Sequence, residues 1–219
     1  MTANDEAMLD TSNLGIAKGR EGGYAIVAPY IDDATILAKY EDMTKTLAEL
    51  VGDASLSAKS LGFISEDGVT FTTDTDSDDV TDWGGDVIAS PLSSYGESAS
   101  ATFLESRKSV LSTVYGDDNV SEKDGVTMVR HNARFTTPHL FIFDSVISDT
   151  IVKRTIIPCG SIVERDDVEQ NNSDLIGYTP TIKCLPSNAY DGDVYRDFFY
   201  DVATAANTTS TTSTKSTTA

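Results

Sequence analysis

The chain has 219 residues, with 35 acidic against 16 basic side chains and a formal net charge of -19. This charge disfavours a surface that holds nucleic acid by counterion release. Two cysteines are too few for a disulfide scaffold, and no apolar run approaches the length that crosses a membrane. The hydrophobic fraction of 39% consists mostly of β-favouring residues, which predicts an all-β domain.

Both ends of the chain differ in composition from the centre. Residues 1–22 are polar and acidic and predict an N-terminal arm with no core face of its own. Acids stand where a secretory signal would carry Lys or Arg, which predicts synthesis in a cytoplasm without export. Residues 204–219 are mostly Thr and Ser and predict a disordered tail. The β domain is therefore expected over residues 23–203.

The first part of the β domain combines short apolar runs with turn residues. Residues 24–28 (YAIVA) predict a strand, and residues 33–50 fit either a helix capped by Asp33 or a partly extended loop. Residues 61–73 predict a hairpin that turns at Glu66, Asp67 and Gly68. Residues 80–90, which contain the only tryptophan, predict a strand with a bulge at a Gly-Gly pair.

The period changes within residues 95–116 (YGESASATFLESRKSVLSTVYG). Ala99, Ala101 and Phe103 alternate with polar residues, as in a strand with one buried face. Val110, Leu111 and Val114 then recur at helical spacing, ahead of a glycine at the position of a C-terminal cap. The stretch predicts a strand that leads directly into a short helix.

Short strands are predicted again in the second half. Candidate strands occupy residues 126–135, 140–147, 150–163, 177–185 and 194–201, with a turn at residues 187–192. Strands at short spacing with one inserted helix predict a mainly β fold, an antiparallel sandwich or barrel with one flanking α-helix. Alternating βαβ units are not indicated.

No residue pattern points to catalysis, a metal or a cofactor. The run that starts at Asp74 begins like a calcium loop, but Asp79 stands where that loop needs glycine and Gly85 where it needs Glu. His131 and His139 have no metal-ligand spacing. A nucleophile elbow and a phosphate-binding glycine loop are missing from the sequence. The sequence therefore predicts a protein that is not an enzyme.

The charges at the predicted helix are the reverse of what its dipole favours. Arg107 and Lys108 stand in the first turn, whereas Asp117 and Asp118 follow the last. The cost is about 0.3 to 1 kcal/mol per charge, which ordinary surface charges tolerate. Alternatively, the two cations face acidic groups of a neighbouring subunit.

Four segments in this order resemble the major tail tube proteins of long-tailed bacteriophages: LGFISEDGVTF, WGGDVIAS, SATFLESRKSVLSTVYG and GYTPTIKCLPS. The resemblance covers residues 24–201. It implies a tube-type β-sandwich or barrel whose copies form six-membered rings, and these rings stack into the tail tube through which the genome leaves the capsid. The implied partners are further copies of the chain, the tape measure protein and other tail proteins. DNA would pass through the lumen without specific binding, and no membrane or cofactor is implied.

The resemblance places the protein in the virion tail after synthesis in the bacterial host cytoplasm. The candidate subunit-interface residues are Glu66, Asp67, Arg107, Lys108, Val110, Leu111 and Val114. Two alternatives stay open: a subunit of a type VI-like secretion tube, and a carbohydrate- or receptor-binding β-sandwich that serves as a tail accessory.

Overall fold

A computed structural model of the chain describes residues 15–132 and 137–202. Strands make up 45% of the structure and helices 15%, and every strand pair is antiparallel. The structure has a large antiparallel sheet and few helices, and the predicted mainly β antiparallel fold is therefore confirmed.

Thirteen strands and three α-helices follow one another along the described residues. The strands are β1 (Lys18–Gly19), β2 (Ala25–Pro29), β3 (Lys59–Ser60), β4 (Ile64–Ser77), β5 (Val80–Thr81), β6 (Val87–Ala89), β7 (Leu92–Phe103), β8 (Val120–Lys123), β9 (Val126–Val129), β10 (His139–Val146), β11 (Ile151–Arg165), β12 (Pro180–Cys184) and β13 (Arg196–Asp201). The helices are α1 (Ala34–Tyr40), α2 (Leu47–Gly52) and α3 (Lys108–Tyr115).

Nine of the strands form one sheet, in the order β3-β2-β10-β11-β12-β7-β4. Strand β1 pairs with β10 beyond the end of β2, and β13 pairs with the first part of β11. The two remaining pairs, β5-β6 and β8-β9, are small hairpins.

The large sheet curls so that its two ends approach each other. Three strands separate β4 from β10 along the sheet, yet the rings of Phe71 in β4 and Phe143 in β10 lie 6.2 Å apart. The main core fills the space between these two layers. The sheet does not close completely, because β4 pairs with β7 alone among the described strands.

Residues at alternate positions of the central strands form the main core. Ala99, Ala101 and Phe103 of β7 are buried, as their alternation predicts. Val110 and Val114 pack against the same cluster from α3, which ends at Gly116 with a φ of 96°. Residues 95–116 therefore form a strand followed by a helix, as predicted.

A second apolar cluster lies on the outer face of β2 and β10 and is covered by α1 and α2. Ile26 and Ile142 contribute from the sheet, and Leu37 and Leu50 from the helices. Asp33 caps α1, and Thr46 caps α2 through a capping box. Of the two alternatives for residues 33–50, a helix or a partly extended loop, the structure has helix: α1 lies within this range and α2 begins in it, with a turn between them. The helix α3 is therefore one of three α-helices among the described residues.

A buried arginine joins this helical layer to the sheet. The Arg154 side chain donates two hydrogen bonds of 2.7 Å to the Asp144 carboxylate. It also donates to the carbonyl oxygens of Tyr40, Asp42 and Lys45, at 2.8, 3.1 and 2.8 Å. All five guanidinium N–H groups are thereby used, which is how a fully buried charge is tolerated.

Two turn predictions are wrong. Residues 61–73 do not form a hairpin, because β4 continues past Glu66, Asp67 and Gly68 in one strand that bulges there. Residues 80–90 form no single strand: Trp83 and its neighbours make the turn between β5 and β6. In both places a long pairing between β4 and β7 determines the structure.

The other predicted strands have counterparts in β2, β9, β10, β11, β12 and β13. The hairpin β8-β9 was not predicted. Strand β1 belongs to the sheet, so the part of the expected N-terminal arm from residue 15 onward is not independent of the β domain. Residues 1–14, 133–136 and 203–219 lie outside the described residues, and the expected C-terminal tail falls among them.

Candidate assembly surface

Strands β4 and β7 extend beyond the rest of the sheet as a two-stranded ribbon. Strand β12 pairs with β7 only from Glu97 to Ser100, so the earlier part of β7 has β4 as its sole neighbour among the described strands. Every residue from 72 to 95 is exposed. This ribbon with its tip, residues 72–95, is called the arm below.

The arm has the local sequence of a solvated β-ribbon. Thr and Ser alternate with Asp along β4, and β-branched residues suit an extended backbone. At the tip, the Asp82 amide donates to the carbonyl of Asp86 at 2.9 Å, and the Asp86 amide donates to the Asp82 carboxylate at 3.0 Å. Gly85 completes the turn with a φ of 93°, a conformation that favours glycine.

The outer part of the arm exposes large apolar side chains. Trp83 at the tip has a relative exposure of 103%, so it makes no packing contact within the described chain. The others are Val80, Val87, Ile88, Leu92 and Tyr95, with relative exposures of 46% to 65%. Exposed apolar groups collected on one projection are typical of an interaction surface.

The arm also carries charge of one sign. It contains six aspartates and no Lys or Arg: Asp74, Asp76, Asp78, Asp79, Asp82 and Asp86. Acidic and apolar groups together favour a partner that combines an apolar cleft with cations.

A buried carboxylate fixes the base of the arm. Glu97 accepts hydrogen bonds from the Thr73 hydroxyl at 3.0 Å and from the Tyr95 hydroxyl at 2.7 Å. The Glu97 side chain thus links both strands of the ribbon at the point where the arm leaves the sheet, and its pairing with Tyr95 raises the pKa of that phenol. This joint orients the arm relative to the sheet.

A groove of about 620 Å³ lies where the curled sheet stays open. Its walls come from β1, β4, β10, β11 and β13, and it is called the seam groove below. Its aromatic lining consists of Tyr24, Phe71, Phe143 and Phe199. Phe199 is 64% exposed, so the groove offers accessible apolar surface.

Two lysines stand at the seam groove. Lys153 Nζ lies 2.9 Å from the Asp197 carboxylate and 5.7 and 5.6 Å from the ring centroids of Phe71 and Phe199. Lys18 also lines the groove and makes no ion pair within the described residues. The acidic lining residue Asp144 is compensated by Arg20 and Arg154.

The predicted interface residues of α3 divide into two groups. Val110, Leu111 and Val114 have relative exposures of 0%, 8% and 2%, so they pack inside the chain itself. Arg107 pairs with Glu105, and Lys108 Nζ lies 3.8 Å from a carboxylate oxygen of Glu122. Acidic partners for these two cations therefore exist within the chain, and their contact with a neighbouring subunit stays a prediction.

Glu66 and Asp67 lie in the bulge of β4. Ile64 pairs with Phe103 and Val69 with Ala101, so the residues between Ile64 and Val69 bulge out of the ladder. Glu66 and Asp67 are exposed, and Glu66 lines the seam groove. The structure does not gather the seven predicted interface residues into one patch.

The histidines and cysteines serve local structure. His139 Nε2 lies 3.2 Å from the Asp117 carboxylate, and the His131 ring packs edge-on against Tyr115. Cys159 and Cys184 are buried free thiols, and burial raises the pKa of Cys184 to about 12. Among residues 15–132 and 137–202, no group of three or more His, Cys, Asp or Glu side chains could hold a metal ion. The same residues include no helix that is long and apolar enough to cross a membrane.

Two comparisons with known proteins were negative. No protein-family model matches the chain, and no curated protein matches it in sequence.

Proposed function

We propose that the chain is a structural subunit that assembles with further copies of itself into six-membered rings, which stack to form the tail tube of a bacteriophage. The observation that carries this proposal is the arm, which projects from the sheet and ends in exposed apolar side chains. The segment order that resembles tail tube proteins supports the same assignment.

The low intrinsic stability of the arm and its exposed apolar side chains favour a protein that works together with a partner. A two-stranded ribbon without a packed face is marginally stable in water. Trp83, with a relative exposure of 103%, is not covered by its own chain at all, and Ile88, with 65%, is covered only in part. Burial against another copy would stabilise both the arm and the assembly, since an aromatic side chain removes about 150–250 Å² from water.

Copies that meet through two different patches form a heterologous contact, which produces rings or open filaments. The arm and the seam groove are two such patches, and both are present once in each chain. A stacked tube needs this kind of contact, whereas an isologous dimer needs only one self-complementary patch.

The charge of the chain suits a conduit for DNA. A net charge of -19 repels a polyanion and opposes adhesion to the tube wall. In this proposal the genome slides through the lumen, and the tape measure protein and other tail proteins are the remaining partners.

Sedimentation combined with negative-stain electron microscopy of the purified full-length chain tests the proposal. Rings or tubes that form as the protein concentration rises would support it. A chain that stays monomeric over the whole range of concentration and salt would refute it. Neighbouring genes for a sheath and an ATPase would instead indicate the related tube of a type VI-like secretion machine.

The seam groove favours a second candidate, a carbohydrate- or receptor-binding β-sandwich. Its aromatic side chains line a cleft of a volume suited to a small ligand. Glycan-array binding by a chain that never polymerises would favour this candidate. Polymerisation without glycan binding would exclude it.

A further inference from the structure

We propose that the apolar tip of the arm of one copy docks into the seam groove of a second copy. This inference rests on the proposed self-assembly and names the two surfaces that meet. The proposed ligand of the seam groove is thus a segment of the same protein, and this segment lies among the described residues.

The groove cannot receive the arm of its own chain. Phe71 lies in the groove, and Trp83 stands 12 residues further along (83 − 71), which corresponds to about 40 Å of extended chain at roughly 3.3 Å per residue. The ladder between β4 and β7 continues outward through the pair Thr75 and Tyr95, followed by the pair Val80 and Ala89 at the tip. Folding the tip back would break these pairs, so an arm that occupies the groove must come from another copy.

The tip and the groove match in size and chemistry. The groove volume of about 620 Å³ admits an indole ring together with a neighbouring aliphatic side chain. Tyr24, Phe71, Phe143 and Phe199 would surround the indole of Trp83, and aromatic pairs favour edge-on and offset contacts. A central aromatic anchor in an apolar pocket is the usual form of an interface hot spot.

The charges also match. The arm has six aspartates and no cation, whereas two lysines stand at the groove: Lys18, which makes no ion pair within the described residues, and Lys153, which pairs with Asp197. Asp144 does not oppose this, because Arg20 and Arg154 pair with it. Glu66 is the one acidic lining residue without an ion pair among the described residues, and Lys18 is the lining cation with which an aspartate of the arm would pair.

Disulfide trapping in the full-length chain tests the docking. One variant carries Thr81→Cys beside the tip, and the other carries Ala17→Cys in the groove lining, both at exposed positions. The native thiols stay out of the reaction because Cys159 and Cys184 are only 7% and 3% exposed. The two variants are mixed, oxidised with diamide and analysed by mass spectrometry of the cross-linked peptides.

The control replaces Ala17→Cys by Ser121→Cys, an exposed position in β8 on the hairpin next to α3. Docking predicts a cross-link from Thr81→Cys to Ala17→Cys and none to Ser121→Cys. Rings or tubes without the Ala17 cross-link would overturn the docking and leave the tube proposal intact. The Ala17 cross-link in dimers that never form rings would support the docking and overturn the tube. Monomers without any cross-link would overturn both.

A second pair of variants measures the contribution of the anchor. Trp83→Ser should raise the protein concentration needed for association about 30-fold or more, as expected for an aromatic hot spot. Leu175→Ser, at another exposed apolar residue, should leave that concentration unchanged. Association of Trp83→Ser at the wild-type concentration would overturn the docking.

Discussion

Replacement of Arg154 by methionine should destabilise the chain strongly. The variant removes five hydrogen bonds at once, two to the Asp144 carboxylate and three to carbonyl oxygens at the end of α1 and in the turn that follows it. Asp144 is 3% exposed and keeps Arg20 as its remaining cationic partner. The buried Asp144 carboxylate and the three carbonyl oxygens therefore lose the guanidinium that donates hydrogen bonds to them.

The expected loss is about 3–5 kcal/mol in the free energy of unfolding, the range found when one partner of a buried ion pair is removed. Folded domains are stable by only about 5–15 kcal/mol, so Arg154→Met removes a large share of the total. The double variant Arg154→Met, Asp144→Leu should be more stable than the single variant, because the fully buried carboxylate is then removed together with the fully buried guanidinium, and the one charge that loses its partner is Arg20, whose side chain is 14% exposed.

Urea unfolding followed by far-ultraviolet circular dichroism measures this loss. Tryptophan fluorescence would report poorly, since Trp83 is fully exposed in the native chain. Arg196→Met is the control: its ion pairs with Asp191 and Asp193 are partly exposed, and such pairs contribute about 0–1 kcal/mol. A loss below about 1 kcal/mol for Arg154→Met would refute the assigned role of the buried network.

Four further predictions concern the helices and the thiols. Val110→Asp buries an unpaired charge in the main core and should abolish cooperative thermal unfolding, and a normal transition would contradict the packing of α3. Arg107→Glu and Lys108→Glu should weaken assembly, measured by sedimentation, more than they weaken folding, and equal loss would count against a subunit contact at α3. Burial raises the pKa of Cys184 to about 12, so the neutral thiol should resist a thiol reagent at pH 8 until urea is added. The hydrogen bonds of Glu49 in the capping box hold its pKa below the ordinary 4.5, so its stabilising effect is present above that pH and is lost as the pH falls through the lowered pKa. Glu49→Gln should therefore lower the unfolding midpoint at pH 7 more than at pH 3.

The sequence predicted those parts of the fold that depend on local periodicity. In β7, alternate residues point to opposite faces, and Ala99, Ala101 and Phe103 are buried as that period requires. Val110 and Val114 recur at helical spacing and are likewise buried in α3. An element with one buried face has apolar residues at regular intervals in the sequence. This pattern can be recognised without knowing which element packs against that face.

Turns were predicted less well because strand pairing over long distances overrides local turn chemistry. Glu66, Asp67 and Gly68 have the composition of a hairpin turn, and Gly68 does adopt a φ of 71°. Gly68 lies in a β-bulge instead of a hairpin turn, because β4 continues beyond this glycine and pairs with β7. Local sequence does not show how far a strand continues after such a bulge.

The arm was missed as a candidate contact surface although the sequence contains a signal for it. No Lys or Arg occurs between Lys59 and Arg107, and Thr or Ser alternates with Asp along residues 72–78. A strand with two polar faces has no side to bury, which predicts a projection from the domain. The apolar residues of α3 were instead assigned to an interface, because a sequence does not distinguish a core face from a contact face.

The buried ion pair of Arg154 and Asp144 could not be predicted. Charged residues are rarely buried, and 35 acidic residues give no reason to single out one of them. The partners of Arg154 come from β10 and from a turn more than 100 residues away in sequence. Only the three-dimensional packing brings these groups together.

Cryo-electron microscopy of the assembled full-length chain shows whether copies meet through the arm. We expect stacked rings with sixfold symmetry, in which the arm of each copy contacts another copy. Particles that remain single chains at every protein and salt concentration, with the arm free in solvent, would contradict it.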